Sequence, residues 1–192
     1  MKFVVIDGKK LGAIIVVVGL TLVLFGIGTN LGGRIRSTAY IQSNLGQLKK
    51  YNIDNLNISY MLPIKWTTNT EKFSGNEIIY HNNFNDNKSI HGFVQVWNKN
   101  QDLLKFLNAS KEISEKQNTI QNYSIQKIKV KDKEGYNVQY TIENENGQKF
   151  NADEYFIDIG DKFVRFSFYV NSKDYKADMK PIFKAIVETL KV

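Results

Sequence analysis

The chain has 192 residues, with 26 basic and 19 acidic side chains for a net charge of +7, 42% apolar residues, two prolines and no cysteine. That balance supports a folded core rather than a disordered tail, and the missing thiols exclude disulfides, a lipid-modified cysteine, thiol catalysis and Cys-ligated zinc or iron–sulfur centres. Lysines interleave with acids, as at Lys127, Lys129, Lys131, Asp132, Lys133 and Glu134, which is the pattern of a solvated strand edge; no nucleic-acid partner is expected.

Residues 1–10 form a short tail carrying Lys2, Lys9 and Lys10. From Leu11 to Leu31 no residue is charged, and the run is rich in Leu, Ile, Val and Phe. A helix of that length reaches roughly 31 Å, the thickness of a hydrocarbon core, so residues 11–33 are expected to be a transmembrane anchor with the lipid bilayer as partner. The run is too long for a cleavable signal, and the small-residue site Ser37-Thr38-Ala39 lies beyond Arg34 and Arg36, which disfavours cleavage. The flanking positive charges nearly tie. A ten-residue tail before a long domain then predicts a signal-anchor in the cell membrane, with the C-terminal domain outside the cytoplasm. Glycines at 12, 19 and 26, with Gly28 and Gly32, leave a thin stripe on this span. Such a stripe permits a weak homodimer without requiring one, since glycine is common in membrane helices.

Residues 34–56 are polar with sparse apolar positions (Ile35, Ile41, Leu45, Leu48, Ile53) and read as a juxtamembrane stalk, partly helical. Beyond Leu56 the period becomes two. Ile58 to Leu62 is extended and stopped by Pro63; Glu77 to His81 and Ile90 to Trp97 are strands joined by an Asn-rich turn over Asn82 to Ser89. Asp102 to Gln117 places Leu103, Phe106, Leu107, Ser110 and Ile113 on one stripe, an amphipathic helix. Strands follow at about 124–131, 135–143, 150–159 and 162–170. Tyr136, Val138, Tyr140 and Ile142 alternate with polar residues, as do Val164, Phe166, Phe168 and Val170, which predicts antiparallel pairing. Turns are expected at Glu134-Gly135, Asn146-Gly147 and Gly160-Asp161. A closing helix spans about Asp174 to Leu190, with Pro181 either kinking it or marking a first turn.

The opening motif Tyr60-Met61-Leu62-Pro63-Ile64-Lys65-Trp66, the alternating runs Tyr136 to Thr141 and Val164 to Val170, and the ending Ile182 to Val192 resemble the PsbP-like family over roughly residues 57–192. The resemblance implies an α+β domain: an antiparallel sheet flanked by helices in α-β-α layers, here preceded by one transmembrane helix. It implies a binding or assembly module and carries no catalytic motif, so no functional residue is transferred and no cofactor is expected.

Two sets of residues invite chemistry. His81 and His91 flank a turn whose midpoint is Asp86; a hairpin symmetric about Asp86 sets the imidazoles opposite each other, a possible zinc or copper set. Phe163, Arg165 and Tyr169 alternate out of the apolar face of their strand and read as a solvent-facing partner patch. No nucleophile elbow, zinc-protease or phosphate-loop signature occurs. The expected function is therefore a single-pass envelope protein presenting a non-enzymatic binding or scaffold domain to a protein or envelope polymer. The alternatives are an enzyme or metal-dependent factor with a site in the domain cleft, and a regulatory module facing the cytoplasm.

Overall fold

The computed structural model describes residues 46–192 except positions 75, 118 and 145. The N-terminal tail, the apolar run at 11–33 and residues 34–45 of the expected stalk lie outside the described residues. Among those described, no helix is long and apolar enough to cross a membrane.

Two strands, β1 (Leu48–Ile53) and β2 (Ile58–Pro63), pair antiparallel as a ribbon. Residues 48–53 are thus a strand of the domain, not stalk. The four- and three-residue spacing of Ile41, Leu45 and Leu48 resembles a helix, but Tyr51 stacks on Tyr60 at 5.4 Å and Ile53 is buried, so tertiary packing decides the conformation of residues 48–53. Next come β3 (Thr67–Glu71), β4 (Ile78–Asn85) and β5 (Ile90–Asn98), then helix α1 (Leu103–Gln117). The strands β6 (Thr119–Val130), β7 (Lys133–Glu143), β8 (Lys149–Asp158) and β9 (Lys162–Asn171) form a meander before helix α2 (Met179–Val187). Strands three to nine make one antiparallel sheet in the order β3-β4-β5-β9-β8-β7-β6.

Both faces of that sheet are covered, which gives the α-β-α layering. On one face Val94, Val96, Val164, Phe166, Phe168 and Val170 are fully buried beneath α2 and the ribbon: Phe183 of α2 stacks on Phe168 at 4.3 Å, and Tyr60 of β2 meets Phe166 edge-on at 5.8 Å. On the other face Leu103 and Leu107 of α1 close over Val138, Phe156 and Phe163. Each such side chain contributes about 1.5–3 kcal/mol by leaving water.

Local signals explain the helix ends. Asp102 Oδ1 accepts the backbone N–H of Lys105 at 3.1 Å, an N-terminal cap for α1. Pro181 lies in the first turn of α2, where its missing N–H costs no helical bond, so that helix starts at Met179 and residues 174–178 are turns and irregular chain. The Asn146-Gly147 and Gly160-Asp161 turns stand where expected, with Gly147 and Gly160 at φ +72 and +99. The third expected turn does not. Lys131 takes the positive φ there (+56), and Gly135 lies inside β7, where a Cβ would come within 2.2 Å of the Phe156 carbonyl oxygen. Close strand approach, not chain reversal, explains that glycine.

Candidate binding groove

Asp86 shapes the β4–β5 hairpin by accepting the backbone N–H groups of Lys88, Ser89 and Ile90 on Oδ1 at 2.8–2.9 Å. This carboxylate-capped loop centres the hairpin on residue 88 rather than on Asp86, so Asn85 pairs with His91 and His81 pairs with Gln95. The two histidines are therefore not opposite each other; four residues of strand, roughly 13 Å, separate their positions. Among the described residues no group of three or more His, Asp or Glu is placed to hold a metal ion.

His81 instead belongs to a directional hydrogen-bond chain across the sheet. Trp97 Nε1 donates to Gln95 Oε1 at 2.8 Å, which leaves the Gln95 amide nitrogen to donate to His81 Nδ1 at 2.8 Å. The imidazole proton then sits on Nε2 and is donated to Asn83 Oδ1 at 2.8 Å, and Asn83 Nδ2 donates to Glu71 Oε1 at 2.9 Å. Every polar group in the row has a partner, so the histidine orients amides and is not offered to a ligand.

A second network ties up the acid of β8. Glu154 is 3% exposed, and its Oε1 accepts from Arg165 Nη2 at 2.6 Å and from Ser167 Oγ and Tyr169 Oη at 2.8 Å. Tyr169 also meets the Tyr140 hydroxyl at 3.2 Å. The Arg165 guanidinium lies between two rings, 4.9 Å from the Phe93 centroid and 5.2 Å from that of Phe156. Burial alone would lower its pKa, but Glu154 above all holds it above the usual value. The Tyr169 hydroxyl is pushed up by burial and then by the Glu154 charge. The expected solvent-facing patch is corrected accordingly: Phe163 is buried under α1 at 2% exposure, Arg165 is spent on Glu154 and two rings, and only Tyr169 reaches an opening. Sequence alternation separates the two faces of β9 but cannot show that α1 covers the second one.

That opening is a groove of about 600 Å³ lined by Thr67, Asn69, Asn83, Asn85, His91, Phe93 and Tyr169 together with Thr68, Phe84 and Gly92. Its lining holds no Asp, Glu, Lys or Arg. His91 is stacked on Tyr169 at 5.7 Å and meets Phe150 edge-on at 5.6 Å; partial burial lowers its pKa, against an opposing pull from Asp86, so the ring is neutral at neutral pH. The groove is walled by amides, hydroxyls and rings, an uncharged polar and aromatic surface, although Asn69, Asn83 and Tyr169 are already hydrogen-bonded within the protein. The sequence reading missed Thr67, Asn69, Asn83 and Asn85 by treating asparagines as turn residues. The signal that carries them is their two-residue spacing, Thr67 and Asn69 on β3 and His81, Asn83 and Asn85 on β4.

No family model matches the sequence, and no curated protein matches it. The fold is nevertheless similar to that of cyanobacterial PsbP (CyanoP) from Synechocystis sp. PCC 6803, with a TM-score of 0.56 at 12% identity over 76% of this chain and 92% of that one. It is also similar to a crystal structure from Bacteroides thetaiotaomicron, with a TM-score of 0.52 at 13% identity over 75% of this chain and 48% of that one. The antiparallel sheet between helices and the similarity in architecture make this a PsbP-like α+β fold.

Proposed function

We propose that this chain is a single-pass membrane protein of the cell envelope that holds a non-enzymatic PsbP-like domain outside the membrane, where the amide-and-aromatic groove engages a partner. The observation that carries the binding reading is the contrast between the groove and the ionisable groups around it. The groove lining bears no formal charge, while the adjacent acid and base, Glu154 and Arg165, are paired to each other beneath it. Groups poised for proton transfer or nucleophilic attack need an open approach to substrate, whereas Glu154 is 3% exposed and holds three donors on its Oε1. The anchor reading rests on the uncharged run from Leu11 to Leu31.

The test is affinity isolation from solubilised membranes of cells making the full chain or the double variant His91→Ala, Asn85→Ala. Both residues are solvent-exposed, so their truncation opens no cavity in the core. A partner held by the groove is recovered with the natural chain and lost with the variant; equal recovery with both contradicts the assignment.

A further inference from the structure

A second depression, about 710 Å³, lies between the β1–β2 ribbon and the β3–β4 hairpin, and its chemistry differs from that of the groove. We propose that it docks the domain flat against an anionic lipid bilayer, an inference that rests on the membrane-anchored reading above.

Three lysines border the depression: Lys49 and Lys50 on β1, and Lys72 just beyond β3. Between them stand two of the large apolar side chains that the domain leaves open, Phe73 at 48% and Ile79 at 39% exposure. The Phe73 ring meets the edge of His81 at 4.9 Å and otherwise faces out. Lys49 Nζ lies 5.3 Å from the centre of the Tyr51 ring, so a cation and a tyrosine share one side of the rim. Cationic tips around protruding apolar groups, with an aromatic at the border, are the side-chain set that partitions to the headgroup level of a membrane. Two acids, Asp54 and Glu71, also border the depression; Glu71 already accepts the amides of Asn69 and Asn83. Cations outnumber acids by one, which favours an anionic over a zwitterionic surface.

The chain itself argues for a bilayer as the occupant. β1 is the first described strand, and Lys49 follows the last residue of the apolar run, Leu31, by a segment whose fully extended reach is roughly 60 Å. On the anchored reading that length of chain lets these lysines reach the headgroups, and the tether raises their effective concentration there. The depression abuts the groove: Asn69 and Asn83 of the groove donate to Glu71 of the depression at 2.9 Å, while the far end of the groove at Thr67 lies roughly 14 Å along β3 from Glu71.

Because the natural chain has no cysteine, one introduced thiol reports one position. The full chain, carrying Phe73→Cys, Ile79→Cys or, as a control on α1, Ile113→Cys (a site 55% exposed), is spin-labelled and reconstituted in phosphatidylcholine vesicles with or without phosphatidylglycerol. Flotation is checked after a high-salt wash. Expected is a severalfold rise in the ratio of oxygen to nickel-complex accessibility at 73 and 79 in the anionic vesicles, none at 113, and return of both labels to water in the triple variant Lys49→Glu, Lys50→Glu, Lys72→Glu. Labels at 73 and 79 that stay water-exposed in floated vesicles overturn the docking and leave the anchor standing. Insertion that is equal in both lipids, or that survives the triple variant, overturns the role of the lysines. A chain that fails to float overturns the anchor and the docking with it. Near-ultraviolet circular dichroism of each variant verifies that the aromatic packing is intact.

Discussion

Glu154 and Arg165 lie diagonally across β8 and β9, with Ser167 and Tyr169 completing the shell around one carboxylate oxygen. Breaking a buried pair from one side leaves the other charge without compensation, which costs about 3–5 kcal/mol. Glu154→Ala is therefore expected to lower the urea unfolding free energy by about that much, since it strands a guanidinium between Phe93 and Phe156; a loss below about 1 kcal/mol would show that the pair is solvated. A second buried acid behaves differently. Asp153 is 2% exposed and accepts Asn137 Nδ2 at 2.6 Å and Gln139 Nε2 at 3.3 Å, yet burial outweighs these donors and raises its pKa above the ordinary 3.8. The folded state then binds this proton more tightly than the unfolded state. Stability from Asp153 is greatest below the ordinary value and falls as pH rises through the raised one. The stability of the natural chain relative to Asp153→Asn should increase as pH is lowered from neutrality toward 4, read from paired urea titrations; parallel pH curves would contradict it. Neither acid is recognisable from spacing. Asp153 and Glu154 are adjacent in the chain but point to opposite faces of the strand, so each meets a different set of partners that only the sheet order assembles.

Elements with a long, regular period were legible: the meander from β6 to β9 follows from alternation, and α1 from a stripe of Leu103, Phe106 and Leu107. Short polar elements were not. β3 reads Thr-Thr-Asn-Thr-Glu, with no apolar face to betray it, and it is fixed only by its ladder to β4. β1 was hidden because a two-stranded ribbon needs the sheet beneath it: Tyr60 donates or accepts with Tyr80 at 2.8 Å and receives Asn82 Nδ2 at 2.7 Å. The hairpin was found but centred two residues early, because the Asp86 carboxylate substitutes for backbone pairing and tightens the loop. Two substitutions test these assignments. Ile53→Ala should cost about 2–5 kcal/mol as a core truncation, where a stalk residue would cost nothing measurable. Leu107→Ala, at a site 1% exposed against Phe156 and Phe163, should cost a similar amount; urea midpoints unchanged in either variant would remove that element from the core.

At the scale of the domain, two surfaces of different character adjoin along one short edge strand. The groove lining carries no Asp, Glu, Lys or Arg, whereas the depression carries three lysines and two acids around exposed Phe73 and Ile79. Under the proposed anchoring, the depression is the side of the domain that meets lipid and the groove is the side that meets a partner. The layered fold was legible as a resemblance in the Tyr60 to Trp66 motif and the apolar alternation. The groove was not, since β9, which brings Tyr169, is beside β5 in the sheet but far from it in the chain. The most direct test of the account uses the absence of native cysteine: a full-length chain with Asn85→Cys at the groove rim is exposed, in intact cells, to a membrane-impermeant maleimide, and the salt-washed membrane pellet is then analysed. An anchored, outward-facing groove predicts labelled chain in the pellet without breaking the cells. Label acquired only after lysis, or chain recovered in the salt wash, would contradict it.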